Sequence, residues 1–159
     1  MLTDIEKTKQ IIADNIYMTL ATASSDGKPW ISPVFFAYDE HYNLFWVSSK
    51  DSLHSKLIRK NPHAAIVIFD SRALEGNGDG VYFEVEVFEL SDTVEIERAM
   101  QILGQRVTVD EFRVKQIKEV TGSAVWRIYK AVPKIISKLV EGEYINGQYV
   151  DKRIQINLL

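Results

Sequence analysis

The stretch DGKPWISPVFFAYDEHYNLFWVSSKDSLHSKLIRKNP, residues 26–62, decides the fold because it places two strand patterns, two turns and a helix in direct succession. The segment from Trp30 to Tyr38 is apolar and aromatic, as a strand requires. Pro33 interrupts it and indicates an edge or a bulge, because proline cannot donate to a strand ladder. A turn at 39–43 leads straight into a second strand, Leu44 to Ser48. Strands joined by such short turns are antiparallel.

Further strand patterns lie on both sides of this stretch. Tyr17 to Ala23 alternates and leads into the Asp-Gly turn at 24–27, while the strongly apolar run at 63–70 predicts a strand buried on both faces. Asn146-Gly147 is the strongest hairpin signal in the chain. The other predicted strands are Val81 to Leu90, Ser123 to Lys130, Lys134 to Val140 (separated from the preceding strand at Pro133) and Arg153 to Leu158.

Four helices are predicted from their start and stop signals. Thr3 and Glu6 form a capping box that starts a first helix ending near Asn15. Asn61-Pro62 stops a second helix over 52–60, and Asp92 is the N-cap of a third. A further capping-box pattern at 108–111 predicts a fourth helix that continues to about residue 120 and stops at Gly122.

The order of these elements predicts an α+β, mostly β fold. Consecutive strands with tight turns and few helical crossovers favour an antiparallel sheet over a doubly wound parallel one. An antiparallel sheet of this many strands commonly closes into a barrel, since closure removes the edges. No internal repeat or long linker divides the chain, so a single domain over 1–159 is expected.

Composition excludes several classes of function. The chain has no cysteine, which rules out disulfides, thiolate catalysis and Cys-ligated zinc. Its net charge is −3 and no window is strongly basic, so nucleic acid is not an expected partner. No window approaches the roughly 18 apolar residues of a membrane helix, and residues 1–15 carry acids and lack the apolar run that is typical of a signal peptide. We therefore expect a cytoplasmic protein that does not insert into a membrane.

Hydroxyl and cationic side chains gather where the strand Leu44 to Ser48 meets the following helix. A helix N-terminus carries unpaired N–H groups and a partial positive charge, which together attract anions. The pattern fits a phosphate site, and it fits equally a solvated helix start with a serine cap and exposed lysines, so both interpretations stay open. Asp51 opposes phosphate unless it points away or caps the helix. The side chains that could contribute are Ser48, Ser49, Lys50, Ser52, His54, Ser55 and Lys56.

The motifs from Asp26 to Pro62 resemble the FMN-binding split-barrel family typified by pyridoxamine 5′-phosphate oxidase. They comprise a DG-x-P turn, a strand with hydrophobic-Ser-Pro-hydrophobic-aromatic, a Tyr-Asp turn, an aromatic strand ending in serine, and a helix closing in Asn-Pro. The later segments GVYFEVEVFELSD and VDKRIQINL resemble the family's next long strand and its closing segment. The resemblance covers nearly the whole chain.

The resemblance implies a six-stranded antiparallel split β-barrel with peripheral helices, working as a homodimer with FMN at the subunit interface. It implies that the FMN phosphate is held by the strand end and the helix start, at Val47, Ser48, Ser49, Ser52, His54, Ser55 and Lys56. It implies that the isoalloxazine and ribityl chain lie along Ile31, Ser32, Pro33, Val34 and Phe35, with backbone groups of Ser32 and Val34 reading the flavin edge. Arg153 matches an arginine that reaches FMN from the partner subunit.

The chain also departs from the oxidase after which the family is named. Its segment 149–153 lacks the histidine of the Arg-x-His-Asp-Arg run that grips the substrate phosphate. Gly80 stands where the oxidase carries a flavin-contacting glutamine, and His54 stands where many members carry Lys or Arg. Vitamin B6 oxidation is therefore not the expected reaction, and the small-molecule substrate is unassigned.

The leading hypothesis is an FMN-dependent oxidoreductase that transfers a hydride or electrons between a reduced nicotinamide, or a similar donor, and an unidentified small molecule. Because the cofactor carries this chemistry, the protein needs to bind and orient the ring, and no acid–base pair is required. Three alternatives stay open: a non-enzymatic flavin carrier, a binder of deazaflavin or haem in the same barrel, and a barrel that binds nothing. The candidate axial ligands for haem are His41, His54 and His63.

Overall fold

A computed structural model describes residues 2–76 and 78–159. Its α-helices are α1 (Asp4–Asp14), α2 (Leu53–Lys60) and α3 (Thr93–Arg106). Its strands are β1 (Tyr17–Ala23), β2 (Pro29–Phe35), β3 (Ala37–Tyr38), β4 (Leu44–Ser49), β5 (His63–Phe69), β6 (Gly80–Glu89), β7 (Trp126–Ile145) and β8 (Gln148–Gln155). Of the five strands predicted between residues 17 and 90, four are found within one residue of the expected bounds, and the one predicted from Trp30 to Tyr38 is divided at Phe36 into β2 and β3.

All eight strands belong to one antiparallel sheet. Its order is β2-β1-β5-β6-β7-β4-β3, and β8 pairs with the far half of β7. The first six strands of this order form the barrel: β2, β1, β5, β6, β7 and β4. The seventh, β3, is a two-residue strand at one end. The first and last strands are not hydrogen-bonded to each other, so the barrel is split. The predicted antiparallel split barrel with peripheral helices is confirmed.

The barrel interior is a continuous apolar core. Its largest fully buried side chains are aromatic: Phe36, Trp46, Phe83 and Tyr129. Ile12 of α1 and Ile58 of α2 belong to the same buried cluster, so these two helices pack on the barrel interior. Helix α3 lies elsewhere and covers the outer side of β3 and β4 through a second cluster of Ala37, Phe45, Ile96, Ala99 and Leu103.

Three of the four predicted helices form with the expected caps. The capping box of Thr3 and Glu6 is complete, and Ser52 and Asp92 each accept a hydrogen bond from a backbone N–H at the start of their helices. The helix predicted from Thr108 is wrong. The segment forms only two short 3-10 turns, Asp110–Phe112 and Ile117–Glu119, without a side-chain cap.

The failed helix has a physical reason in its apolar spacing. Val114, Ile117 and Val120 recur every third residue, which fits three residues per turn better than the α-helical period. All three pack against the cluster beneath α3. Tertiary contact therefore selects an irregular path over the local capping signal.

Pro133 does not separate two strands, as the sequence predicted, because β7 runs through it without a break. The β6–β7 register shifts there: Val85 is opposite Pro133, but the next position, Glu84, is opposite Ile135. Lys134 is thus an extra residue, and the irregularity is a β-bulge, a place where proline is tolerated. Beyond it, β7 pairs with β8 through the predicted Asn146-Gly147 turn, with both turn residues at positive φ.

Strand β5 is buried on one face only, so the prediction of a doubly buried strand is wrong for the single chain. Ile66 and Ile68 point into the barrel, whereas Ala65 and Phe69 are exposed. The exposed side belongs to a larger apolar surface that we call the outer face. It consists of Tyr17, Ile31, Pro33, Phe35, Ala65, Val67 and Phe69, which the registers of β2, β1 and β5 place on one side of the sheet.

No helix within residues 2–76 and 78–159 is long and apolar enough to cross a membrane.

Candidate functional site

Three serines contact His54 at the split of the barrel, and a fourth is bonded to one of them. The Nε2 atom of His54 lies 2.9 Å from Ser48 Oγ and 3.0 Å from Ser52 Oγ, and its Nδ1 atom lies 3.3 Å from Ser32 Oγ. Ser52 Oγ also donates to Ser55 Oγ at 2.8 Å. We call Ser32, Ser48, Ser52, His54 and Ser55 the serine–histidine cluster.

Three separate elements build this cluster. Ser48 points inward because the alternation of β4 places it on the same side as the buried Leu44 and Trp46. Ser52 is the N-cap of α2, and His54 lies within the first turn of that helix. Ser32 comes from β2, which is hydrogen-bonded to β1 alone among the described strands. The cluster therefore lies between the free edge of β2 and the start of α2.

Asp51 is placed where its carboxylate does not oppose the binding of a phosphate at the cluster. Ser52 caps α2 in its place, and the Asp51 side chain is exposed and absent from the contacts of the cluster. Burial lowers the pKa of His54, and no carboxylate contributes to the shift. The cluster thus offers hydroxyl groups, one imidazole and the N-terminus of α2, without an acidic side chain in contact with the imidazole.

A buried tyrosine lies beneath the cluster. Tyr129 is fully buried, stacks on Trp46 with ring centroids 5.5 Å apart, and donates from its phenol to Glu89 Oε2 at 2.8 Å. Arg59 donates to the same carboxylate oxygen at 2.8 Å. Burial raises the pKa of Tyr129 to about 12, with the Ser55 hydroxyl acting in the opposite direction and Glu89 adding to the rise. The phenol therefore joins the cluster to a charged pair near the surface.

We expect this shift to make stability fall between about pH 10 and 12. An unfolded tyrosine ionises near its ordinary pKa of about 10, whereas Tyr129 in the folded chain keeps its proton up to about 12. The folded state then binds more protons, and the free energy of unfolding declines as pH rises through this window. Urea unfolding at pH 9 and pH 11 measures the decline.

The matched comparison is Tyr129→Phe against Tyr144→Phe, since Tyr144 is exposed at the tip of the β7–β8 hairpin. The first variant should show a shallower decline than the wild type, and the second should keep the wild-type slope. Equal slopes in all three proteins would contradict the assignment.

The structure does not bring every predicted phosphate ligand into the cluster. The side chain of Val47 lies on the opposite face of β4 and packs against the cluster beneath α3. Ser49 accepts a hydrogen bond from the backbone N–H of Asp51 at 3.2 Å. Lys56 is exposed on α2. The side chains that converge on one point are thus Ser48, Ser52, His54 and Ser55 from the predicted phosphate set.

The five predicted residues of β2 divide between two faces. Ser32 and Val34 point inward, and Val34 is part of the barrel core. Ile31, Pro33 and Phe35 belong to the outer face, where Ile31 is 65% exposed. A planar ring placed along the free edge of β2 would meet backbone groups at that edge and apolar side chains on the outer side.

Arg153 lies apart from the serine–histidine cluster. It extends from β8, and its guanidinium carbon sits 3.8 Å from the centroid of the Tyr82 ring. Tyr82 lies on the outer side of β6, because its neighbours Val81 and Phe83 are buried in the barrel. Arg153 therefore stands on the side of the sheet that carries the outer face.

Sequence reasoning missed three residues that shape the site. The Trp30 indole donates from Nε1 to Ser32 Oγ at 3.1 Å, and Tyr129 with Glu89 supports Ser55 from below. Trp30 belongs to the motif that suggested the site, so its proximity could have been inferred. Nothing in the local sequence marks Tyr129 or Glu89 as part of a site. An aromatic residue in a strand is typical of the core, and an acidic residue in a strand is typical of the surface.

The donor set of the cluster fits a phosphate group. Serine hydroxyls, an imidazole and free helix N–H groups are the chemistry that binds phosphate oxygens in proteins. The described residues contain no cluster of three or more His, Cys, Asp or Glu side chains that could hold a metal ion. The site is thus suited to binding and orienting an anionic group.

Comparison with solved structures finds the same fold in proteins of low sequence identity. The haem storage protein HutZ from Vibrio cholerae matches with a TM-score of 0.65 and 16% identity over 80% of this chain and 88% of that chain. A haem-binding protein from Mycobacterium smegmatis matches with a TM-score of 0.71 and 15% identity, over 98% of this chain and 59% of that chain. An FAD-binding protein from Mesorhizobium loti matches with a TM-score of 0.62 and 17% identity, over 86% and 94%.

Sequence comparison assigns the family directly. No curated protein matches the chain. The sequence profile described as pyridoxamine 5′-phosphate oxidase matches residues 5–132, which contain β1 to β6, all three α-helices and the serine–histidine cluster. Because this match spans most of the chain, the protein is a member of the pyridoxamine 5′-phosphate oxidase family.

Proposed function

We propose that this protein is an FMN-dependent oxidoreductase. The observation that carries the proposal is the contact of Ser48 and Ser52 with His54 at the start of α2, with Ser55 bonded to Ser52 behind them. These side chains would hold the phosphate of FMN. When bound, the flavin supplies the capacity to accept a hydride or electrons from one small molecule and pass them to another.

The edge strand β2 would position the ring. The backbone groups of Ser32 and Val34 face β1, because the alternation set by the Ser24–Lys28 and Phe36–Ile16 bonds pairs them with that strand, so the expectation that they read the flavin edge is wrong. On the other side β2 has no partner among the described strands, so the backbone groups of Ile31, Pro33 and Phe35 could bond the polar edge of the isoalloxazine. Ile31, Pro33 and Phe35 would present an apolar surface next to it. The cluster holds no acid–base pair, which suits a protein that binds and orients its cofactor and leaves redox chemistry to it.

The first test is an absorption spectrum of the purified protein before and after FMN is added and the excess removed. Retained flavin bands, together with oxidation of a reduced nicotinamide by an added acceptor, support an FMN oxidoreductase. Retained flavin without turnover of any donor supports the flavin-carrier alternative. A protein that retains no FMN contradicts the proposal, and titration with riboflavin shows whether the phosphate is what the site requires.

Haem is the second candidate cofactor, since two of the similar structures are described as a haem storage protein and a haem-binding protein. His63 lies exposed at the start of β5 and His41 is exposed in the turn before β4, so either imidazole is accessible as an axial ligand. A Soret band after addition of hemin, lost in a His63→Ala or His41→Ala variant, would favour haem over FMN.

We also propose that the protein is a homodimer with the cofactor at the subunit interface. Support comes from the outer face, where Tyr17 is 58% exposed and Phe69 is 46% exposed within one apolar surface. Monomeric proteins rarely expose a contiguous apolar surface of this kind, and large ones mark interaction sites. A second copy packed there would also bring its Arg153 near the interface, because Arg153 extends on the same side of the sheet.

A Phe69→Glu variant should be monomeric at concentrations where the wild type is dimeric. The introduced carboxylate would lose its water on association without gaining a partner. Light scattering measures the mass of both proteins. The matched control is Val94→Glu on α3, a position that is 72% exposed and lies away from the outer face. A wild-type monomer that still retains FMN would refute the interface.

A further inference from the structure

The hydrogen bonds of the serine–histidine cluster are all satisfied by one arrangement of its protons. Ser52 Oγ donates its single proton to Ser55 Oγ, so it can only accept from His54 Nε2. Ser32 Oγ accepts from the Trp30 indole and keeps its own proton free to donate to His54 Nδ1. These contacts assign a neutral imidazole with its proton on Nε2 and its lone pair on Nδ1.

This neutral form is satisfied without an anion. Nδ1 accepts a hydrogen bond from the Ser32 hydroxyl, Nε2 donates to Ser48 and Ser52, and burial opposes a charge on the ring. The cluster alone therefore holds no fixed positive charge. Among the described residues that contact His54 none is charged, so a dianionic phosphate would enter a half-buried site that offers it the partial positive charge at the start of α2.

We infer that binding of the cofactor phosphate draws one proton from solvent onto His54 Nδ1. This inference rests on the proposed FMN site. His54 is then the residue that sets the selectivity of that site for anions. An imidazolium beside a phosphate dianion is stabilised by direct attraction, and this attraction offsets the cost of charging a partly buried ring. Because this proton is taken up together with the phosphate, the dissociation constant depends on pH.

The same proton reverses one hydrogen bond. Once Nδ1 carries a proton it must donate to Ser32 Oγ, whose oxygen can accept it together with the Trp30 N–H. The hydroxyl proton of Ser32 is then released to donate to the phosphate. Protonation therefore gives the anion a positive charge and a hydroxyl donor. In the neutral site that hydroxyl, of Ser32, donates to the imidazole instead.

The charged side chains around His54 do not hold the imidazole in its protonated form, so we attribute that role to the phosphate. Asp51, which precedes α2, and Lys56 on α2 are both exposed and are absent from the hydrogen bonds of the ring. Glu89 and Arg59 pair with each other beyond Ser55 and Tyr129. From β2 and β4 the groups that contact the imidazole are the hydroxyls of Ser32 and Ser48. No carboxylate in the described chain is placed to hold the ring protonated before an anion arrives.

The test is the dissociation constant of FMN as a function of pH, measured by flavin fluorescence. Between about pH 6.5 and 8.5 the FMN phosphate is mainly dianionic, so the titration of His54 dominates. We expect Kd to rise with pH, by up to about tenfold per unit. Riboflavin, which lacks the phosphate, should bind with a Kd independent of pH in this range.

Two variants and one calorimetric measurement complete the design. His54→Arg carries a permanent charge, so its Kd should be flat with pH and at least about tenfold tighter than wild type at pH 8.5. The matched control is His41→Arg, an exposed turn position that should keep the wild-type slope. Calorimetry of wild type near pH 7 in buffers of different ionisation enthalpy should show uptake of about one proton per FMN.

The outcomes separate the inference from the function on which it rests. If FMN binds with a flat pH profile and without proton uptake, the inference fails and the cofactor assignment stands. If FMN binds at no pH, the cofactor assignment fails and the inference fails with it. The calorimetric result depends on wild-type protein alone, so it decides the matter even if His54→Arg does not fold.

Discussion

A Ser48→Asp variant is expected to fold and to lose its affinity for FMN by roughly a thousandfold. Ser48 is nearly buried, and its hydroxyl lies 2.9 Å from His54 Nε2. A carboxylate at this position would face the phosphate across about 4 Å, where two like charges near a protein surface repel by about 4 kcal/mol. It would also pair with His54 and keep the imidazole from the anion. Flavin fluorescence titration measures the loss.

The control for this prediction is Ser48→Asn, which has nearly the same size as aspartate and no charge. Its affinity should fall far less, because an amide can still donate to a phosphate oxygen. Riboflavin binding should respond equally to the two substitutions. If Ser48→Asp binds FMN as tightly as Ser48→Asn does, the phosphate does not lie at the serine–histidine cluster.

Phe83→Ala is expected to lower the free energy of unfolding by about 3–5 kcal/mol, the range typical of a buried phenylalanine. Phe83 is 1% exposed and lies in the barrel core on β6. Its removal deletes apolar contacts and leaves a cavity between neighbouring strands that cannot collapse freely. For a chain of this length, the loss corresponds to a fall in melting temperature on the order of 10 °C. Urea unfolding measures the change.

Phe88→Ala provides a control on the same strand. Phe88 is 44% exposed on the other side of β6, so its truncation removes little buried surface. Its free energy of unfolding should stay within about 1 kcal/mol of wild type. Equal losses in the two variants would show that burial in the barrel does not determine stability at these positions.

Local signals predicted most of the fold because the sequence is consistent with it at short range. Strand β1, the Asn146-Gly147 hairpin and the caps at Thr3, Ser52 and Asp92 all form as expected. Each depends on residues that are close in the chain. The capping box at Thr108 failed since no α-helical apolar stripe follows it, and a cap alone does not stabilise a helix.

The site could be predicted only in outline. The strand end at Ser48 and the helix start at Ser52 are neighbours in sequence, so their hydroxyls were expected to lie together. The bond from Ser32 to His54 joins residues 22 positions apart, and the split of the barrel determines it. Tyr129 reaches the cluster from β7, which pairs with β4 only in the folded sheet. Such contacts depend on long-range pairing that periodicity does not encode.

The bulge at Lys134 has a consequence for how this chain can change by descent. Ala131 and Lys138 both face inward although their positions differ by an odd number, which strict alternation would forbid. Loss of the codon for Lys134 would remove the extra residue and leave Ile136 and Lys138 facing inward, because the Val85–Pro133 pair would then be followed directly by Glu84–Ile135. The bulge is therefore the place where a descendant of this chain can lose one residue of β7 and keep both faces of the strand, whereas a one-residue deletion elsewhere in β7 would turn every later side chain to the other face.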